Sequence, residues 1–254
     1  MLSRSGFFRR ILASPAAREF LLNSLAVGEA DSALDLDRVA EHVSDPVLSR
    51  RIYRHFAEEQ KHARLFRQHL EAQGFRCTPL PPELDYERYA QRYGMGTPKA
   101  RLDDPTAFGD DDLILFFCGS KAGEERACAE MEGLIRDLAA DPATARLLRV
   151  IHGDELRHVS YATQELQRLA EGGRRARVVR QLRAARRAEA RAHRAVSRAF
   201  MKRLLGLLGV PRAIQVFAGL SIDASFLARW LFPGGLDGPR VANPMPVPGE
   251  GVEA

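Results

Sequence analysis

The chain has 254 residues, of which 45% are hydrophobic, and a formal net charge of +5. This length allows one sizeable domain with an ordinary buried core and some surplus at the ends. The three cysteines form no C-x-x-C pair, so they indicate neither a disulfide framework nor a thiolate zinc site, and they fit a reducing cytoplasm. Only four of the 38 basic residues are lysines, so the charge reflects an arginine bias and is weak evidence for a nucleic-acid partner.

The sequence predicts neither a secretory signal nor a transmembrane helix. The N-terminal segment carries Arg4, Arg9 and Arg10 and has no apolar stretch long enough for a signal peptide. The most hydrophobic region, 204–232, is interrupted by a proline and charged residues, whereas a spanning helix needs about 20 apolar residues. We therefore expect a cytoplasmic protein without a transmembrane segment.

Four dipeptides combine an N-cap side chain with a proline, which is harmless at the first helical position. They are Ser14-Pro15, Asp45-Pro46, Asp104-Pro105 and Asp141-Pro142. These starts, with glycine stops after the second and fourth segments, divide the first part of the chain into helical segments over 15–43, 46–74, 105–140 and 142–172. Each segment has apolar residues at three-and-four spacing and no alternating β-branched run, so the predicted fold class is all-α.

The lengths of the links predict how these segments are arranged. Segments one and two, and segments three and four, are joined by a few residues, which forces two antiparallel hairpins. The link 75–104 is long and proline-rich, so we expect it to cross the bundle from one hairpin to the other.

The sequence beyond the bundle predicts an Arg/Ala-rich helix and a more apolar sixth helix. The Pro- and Gly-rich end of the chain is typical of disorder. We thus expect a four-helix bundle over 1–173, a helical extension packed on it over 174–232, and a disordered tail over 233–254.

Aligning two of the helix starts exposes a repeat. DPVLSRRIYRHFAEEQKH and DPATARLLRVIHGDELRH both read D-P-x11-[DE]-E-x-x-H, with a constant offset of 96 positions. Residues three apart share a helical face. Glu59 and His62 can therefore bind the same ligand, and so can Glu155 and His158. By chance, 18 Glu and seven His would give roughly 0.5 E-x-x-H patterns, so two at matched positions are informative.

Hairpin geometry places two more carboxylates level with these motifs. Glu29 and Glu59 are equidistant from a turn near Ser44, each about 22 Å away at 1.5 Å per residue. The second hairpin brings Glu124 or Glu125 level with the second motif. Glu124 continues the apolar stripe of its helix, whereas the offset of 96 selects Glu125, and we choose Glu124 because it faces inward.

Carboxylates inside a bundle need partners that offset their desolvation. Interior arginines are one solution, and two divalent cations are the solution we favour. Oxygen-rich ligands with two imidazoles favour iron or manganese over zinc. We predict two iron ions, or a manganese/iron pair, about 3.5–4 Å apart. The predicted ligands are Glu29, Glu59, His62, Glu124, Glu155 and His158.

This pattern resembles the ligand set of the ferritin-like di-iron carboxylate superfamily over residues 15–172. The stretch D-E-L-R-H at 154–158 looks like the D-E-x-R-H of bacterial multicomponent monooxygenases and, more loosely, the D-E-x-x-H of ribonucleotide reductase small subunits. The resemblance implies a ferritin-like bundle and oxygen activation. It also implies that Glu58 and Asp154, which precede the ligand glutamates, hydrogen-bond ligand histidines. The alternative for both is a solvated helix face.

Four further side chains lie near the motifs. His55 and His152 each precede a ligand glutamate by about one turn, so either could approach the metals. Neither repeats in the other half, and we therefore interpret both as core or surface residues. Tyr161 fits a core tyrosine better than a redox-active one. Cys128 fits the role of a small apolar filler.

The C-terminal helices leave two interpretations each. The Arg-rich helix 174–203 fits a solvated helix packed on the bundle, and the alternative is a site for a polyanion such as tRNA or for an acidic carrier protein. The apolar helix 211–232 either covers the mouth of a pocket or forms a homodimer contact.

The predicted function is an O2-activating di-iron oxidase or oxygenase. Its partners are O2, a small-molecule or carrier-bound organic substrate, and an external electron donor. One alternative is a ferroxidase or a rubrerythrin-like protein that handles iron or peroxide. The other is a non-catalytic bundle that binds RNA or a partner through its basic helix.

Overall fold

All regular secondary structure in the part of the chain that this computed structural model describes is helical, and the predicted all-α class is confirmed. The structure describes residues 4–231 and the side chains of residues 6–227, and it contains no strand in that range. The predicted disordered tail, 233–254, lies outside the described residues. No helix within the described range has the length and apolar character needed to cross a membrane.

The helices follow one another with short connections, except between α4 and α7. A 3-10 turn, Pro82–Leu84, precedes α5, and a π-helical turn, Ala170–Arg174, joins α8 to α9. The helices are α1 (Arg4–Ala13), α2 (Pro15–Ser32), α3 (Leu36–His42), α4 (Pro46–Ala72), α5 (Tyr86–Arg92), α6 (Lys99–Leu102), α7 (Asp110–Asp137), α8 (Pro142–Leu169), α9 (Arg175–Leu207) and α10 (Arg212–Leu231).

Three of the four predicted helix starts are confirmed. Side-chain oxygens of Ser14, Asp45 and Asp141 accept hydrogen bonds from the first-turn backbone N–H groups of α2, α4 and α8, and a proline follows each cap. The prediction for Asp104 was wrong. Its carboxylate instead accepts the N–H of Thr106 in a local turn, and α7 starts only at Asp110, after Gly109.

The predicted first helix, 15–43, is in fact two helices. α2 ends at Ser32, and α3 starts after Asp35, which has a φ of 67° in the left-handed region. Asp tolerates that conformation better than most residues, and a right-handed helix cannot continue through it. The chain therefore turns at 33–35 before it reaches the hairpin.

Two antiparallel helix pairs meet along α4 and α8. His69 lies 2.7 Å from Thr144 at one end of this interface, and His55 lies 2.7 Å from Tyr161 at the other, so α4 and α8 run in opposite directions. α2 packs on α4, and α7 packs on α8. In the described chain, α2 and α7 make no extended contact with each other, and α9 packs along α5 and α7 on that side.

The interior contains two apolar clusters with a polar layer between them. Along α4, Ile52 belongs to one cluster and Phe66 to the other. Along α8, Ile151 and Ala162 are divided in the same way. Between them lie the buried polar residues of the layer, so apolar packing on two sides fixes its height. They are His55, Glu59 and His62 of α4, and Asp154, Glu155 and His158 of α8.

Helix α9 shares the core of the bundle. Val178 and Leu182 are at most 1% exposed and belong to the same cluster as residues of α4, α7 and α8. The division of the chain at residue 173 into a bundle and an extension stays a prediction.

Leu182→Ala should lower the free energy of unfolding by about 2–5 kcal/mol, because it leaves a cavity in the shared core. Leu207→Ala, on the same helix but 40% exposed, is the matched control and should cost about 0.5 kcal/mol or less. Urea denaturation followed by circular dichroism measures both. Equal effects of the two variants would show that α9 is not part of the core.

Candidate metal centre

The polar layer of the bundle brings together all six residues that the sequence analysis selected. Glu59, His62, Glu155 and His158 are at most 2% exposed. Glu29 on α2 is 8% exposed, and the Glu124 side chain on α7 is 15% exposed. Four different helices therefore supply charged or titratable groups to one buried volume.

These side chains form two groups that could each hold a metal ion. Within each group, one ligand atom from every residue lies within 4.8 Å of the others. One group is His55, Glu59, Glu124 and His158, and the other is Glu29, Glu59, His62 and Glu155. Glu59 belongs to both groups, which is the position of a carboxylate that can bridge two ions.

His55 is a site residue that the sequence analysis set aside as a core or surface histidine. It is buried, as a core histidine would be, but its Nε2 atom lies 3.1 Å from Glu124 and 3.4 Å from Glu59. The available signal was its position one turn before Glu59, which puts both side chains on the same face of α4. The absence of an equivalent histidine in the second repeat argued against it.

Each of the three histidines has one ring nitrogen fixed by an outer partner. His55 Nδ1 lies 2.7 Å from the Tyr161 hydroxyl, and His62 Nε2 lies 2.9 Å from Asp154. His158 Nε2 lies 2.9 Å from Glu58. The other nitrogen of each ring is thereby directed at the central carboxylates, which is the arrangement that orients metal-binding imidazoles.

The outer carboxylates connect the two E-x-x-H motifs crosswise. Glu58 precedes Glu59 on α4 but contacts the histidine of α8, and Asp154 on α8 contacts the histidine of α4. Basic side chains neutralise both acids, since Arg157 contacts each of them and Lys61 contacts Asp154. Burial alone would raise the pKa of Glu58, but hydrogen bonds from His158 and Arg157 lower it to about 2.

Two atoms at the centre of the polar layer have no hydrogen-bond partner. His62 Nδ1 lies 3.3 Å from both Glu29 and Glu155, yet it has no hydrogen-bond partner of good geometry. Glu59 Oε1 is also buried without a hydrogen-bond partner. Buried polar atoms are normally hydrogen-bonded. An unpaired nitrogen and an unpaired carboxylate oxygen that point to the same volume are therefore suited to bind a cation. Carboxylate oxygens with imidazole nitrogens are ligands for iron, manganese or related divalent ions.

Protons balance part of the negative charge of the metal-free chain. Burial raises the pKa of Glu29 to about 8, and burial with the nearby charge of Glu155 raises that of Glu124 to about 8. For His62, burial would lower the pKa, but contacts with Glu155 and Glu29 raise it to about 10. These groups hold protons at neutral pH where a metal ion would otherwise supply positive charge.

Two neighbouring candidates lie outside the groups. Glu125 lies 2.8 Å from Arg186 and 2.9 Å from Lys121, on the side of α7 that faces away from the polar layer. His152 lies 3.6 Å from Glu132. The structure thus brings Glu124 to the site and leaves Glu125 in an ion-pair network.

Comparison of the chain with protein-family models, with curated proteins and with solved structures found no match. The interpretation of the site therefore depends on its own geometry.

Glu124→Gln should reduce the metal content of iron-reconstituted protein by about one ion per chain, because an amide is a weaker ligand than a carboxylate. Glu125→Gln is the adjacent, isosteric control and should retain full metal content. It should instead lower the free energy of unfolding by about 1–3 kcal/mol, because the buried Lys121 loses its charged partner. Elemental analysis that gave the reverse pattern would contradict the assignment of Glu124.

Metal loading should release protons at neutral pH. Glu29 and Glu124, with pKa values of about 8, and His62, with a pKa of about 10, are protonated in the metal-free chain, so a bound ion must displace protons from them. Apparent affinity should therefore rise with pH up to about pH 8, where the two glutamates lose their protons, and further up to about pH 10, where His62 loses its proton. Titration calorimetry in buffers of different ionisation enthalpy measures the released protons, and a pH-independent affinity would contradict this account.

Proposed function

We propose that the protein is a ferritin-like di-iron or manganese/iron carboxylate oxidoreductase that uses O2 to oxidise an organic substrate. The observation that carries the proposal is the pair of buried four-residue groups that share Glu59. When bound, two such ions supply redox chemistry and open coordination positions for O2 that no side chain of the chain can provide.

The helix arrangement supports a ferritin-like bundle. Two antiparallel pairs, α2 with α4 and α7 with α8, are joined by the long segment between α4 and α7. That connectivity is the one found in ferritin-like folds, where carboxylates and E-x-x-H motifs project inward from four helices. The intervening α5 and α6 are short helices within this crossover.

The residues of the site would divide the work of holding two ions. Glu59 would contribute to both metal positions, and Glu29, His62 and Glu155 would complete one of them. Glu124, His158 and the additional His55 would complete the other. With His55, the second position has two imidazoles and two carboxylates, whereas the first has one imidazole and three carboxylates. The two positions therefore differ in charge.

The surrounding residues orient the ligands and limit access of water. Asp154 and Glu58 fix the ring orientation of the E-x-x-H histidines, and Tyr161 does so for His55. The apolar clusters above and below the site keep bulk water from its ends. Exclusion of water favours oxidation of a bound substrate over side reactions.

A large cavity next to the site favours an organic substrate over iron storage. Its volume is about 700 Å³, and Glu29, Glu59 and Glu124 are among the residues that line it. Iron handling needs only a path for ions, whereas pockets of about 300–1,000 Å³ with mainly apolar walls are typical of small-molecule sites.

Oxygen consumption tests the proposed function. Protein loaded with Fe(II) in the absence of air should bind close to two ions per chain and should consume O2 on mixing, with a change in the optical spectrum. Glu59→Ala should lose both metal and O2 uptake, because Glu59 belongs to both groups. Uptake of many more irons per chain during aeration would favour storage, and no metal binding by the reconstituted chain would reject both functions.

A further inference from the structure

A cavity of about 700 Å³ lies between α2, α7 and α9 and reaches the candidate metal centre. Five of the seven residues in the two groups border it, and the two that do not are His62 and His158. The cavity therefore opens on the side of the four carboxylates and His55, where α2 and α7 are not packed against each other.

The cavity walls are mainly apolar. They include large side chains from α2, α7, α9 and α10, namely Leu21, Leu25, Phe116, Met131, Phe200 and Phe226. An apolar lining with a few polar groups is the usual character of a site that binds an organic molecule by removing it from water.

Two glycines keep space open beside the candidate ligands. Gly28 and Gly123 lie within helices, immediately before Glu29 and Glu124, and both line the cavity. A Cβ atom at either position would meet no atom within 4 Å. Glycine within a helix costs about 0.5–1 kcal/mol of stability relative to alanine. Tight helix packing does not explain why glycine occurs here, because a larger side chain would have room. They do widen the cavity next to the site.

The charged groups that line the cavity are predominantly acidic. Apart from the candidate ligands, the acids are Asp31, Asp35, Glu87, Glu130 and Asp137. Arg126 is the one Arg or Lys among the described lining residues. It lies 2.6 Å from Glu130, 3.5 Å from Glu189 and 4.5 Å from the centre of the Tyr86 ring, so its charge is already balanced. The two lining imidazoles, His55 and His193, contact Glu124 and Glu130, so their charge is balanced as well. An anionic ligand would therefore meet acidic side chains and only cations that are already paired.

Two hydroxyl groups offer a site for an uncharged polar group. Thr97 Oγ1 and Ser120 Oγ are buried, belong to residues that line the cavity, and have no hydrogen-bond partner. Ser120 lies one turn before Glu124 on α7, so its hydroxyl is near the metal centre. A hydroxyl or amino group of a ligand could pair with either atom.

We infer that this cavity binds a mainly apolar organic molecule whose polar group is uncharged or cationic, and that it discriminates against carboxylates and phosphates. This inference names the substrate class of the proposed oxygenase. It rests on the proposed function only in calling the bound molecule a substrate. The binding itself is a property of this chain's own residues.

Binding of three probes with the same ten-carbon alkyl chain tests this inference. Decylamine, decanol and undecanoate differ only in the charge and type of the polar group. Displacement of a fluorescent apolar dye from the metal-free protein should show decylamine and decanol binding about tenfold or more tightly than undecanoate. Equal or tighter binding of undecanoate would overturn the inference.

Filling the cavity supplies the structural control. Gly123→Leu, and separately Gly28→Leu on the opposite wall, should weaken decanol binding about tenfold or more by occupying the open volume. Gly206→Leu on α9 is the matched control, because Gly206 is an exposed helical glycine that does not line the cavity. Unchanged binding in both cavity variants, with helicity retained, would overturn the assignment of the cavity.

The outcomes separate this inference from the proposed function. A chain that binds no metal but still binds decanol and decylamine selectively would reject the function and retain the ligand class. A chain that binds two metals and consumes O2 but shows no preference among the probes would reject the ligand class alone. If either cavity variant fails to fold, binding of the three probes to the unsubstituted protein still tests the ligand class.

Discussion

Four carboxylates buried in one layer of a helical bundle impose the constraint on which the rest of this structure depends. Removing them from water is costly unless positive charge lies beside them. The chain provides three imidazole rings in the same layer and places Arg157 and Lys61 only at its outer edge, against Glu58 and Asp154. The centre itself receives no arginine or lysine among the described residues, and its carboxylates and imidazoles form two groups that could each hold a metal ion.

The same constraint explains the architecture around the layer. Apolar clusters above and below hold α4 and α8 at a fixed register, which keeps the two E-x-x-H motifs opposite each other. On the far side, α2 and α7 each contribute one glutamate but remain apart, and α9 covers the gap. The resulting cavity gives the four carboxylates and His55 access to a ligand, whereas His62 and His158 do not border it and contact Asp154 and Glu58 instead.

Much of this site could be predicted because the spacing of residues along a helix determines the direction in which each side chain points. The E-x-x-H repeat placed Glu59 and Glu155, hairpin symmetry placed Glu29, and the apolar stripe distinguished Glu124 from its neighbour. His55 was set aside because it occurs in one half only. The break before α3 depends on the backbone conformation of Asp35, and Asp104 formed a local turn where a helix cap was expected. The cavity depends on the distance between α2 and α7, which no spacing within one helix encodes.

Anomalous diffraction from crystals of the iron-loaded protein tests the central claim most directly. The account predicts two iron peaks about 3.5–4 Å apart. One should lie among His55, Glu59, Glu124 and His158, and the other among Glu29, Glu59, His62 and Glu155. A single peak, or peaks located away from Glu59, would contradict the proposal that this polar layer is a two-metal centre.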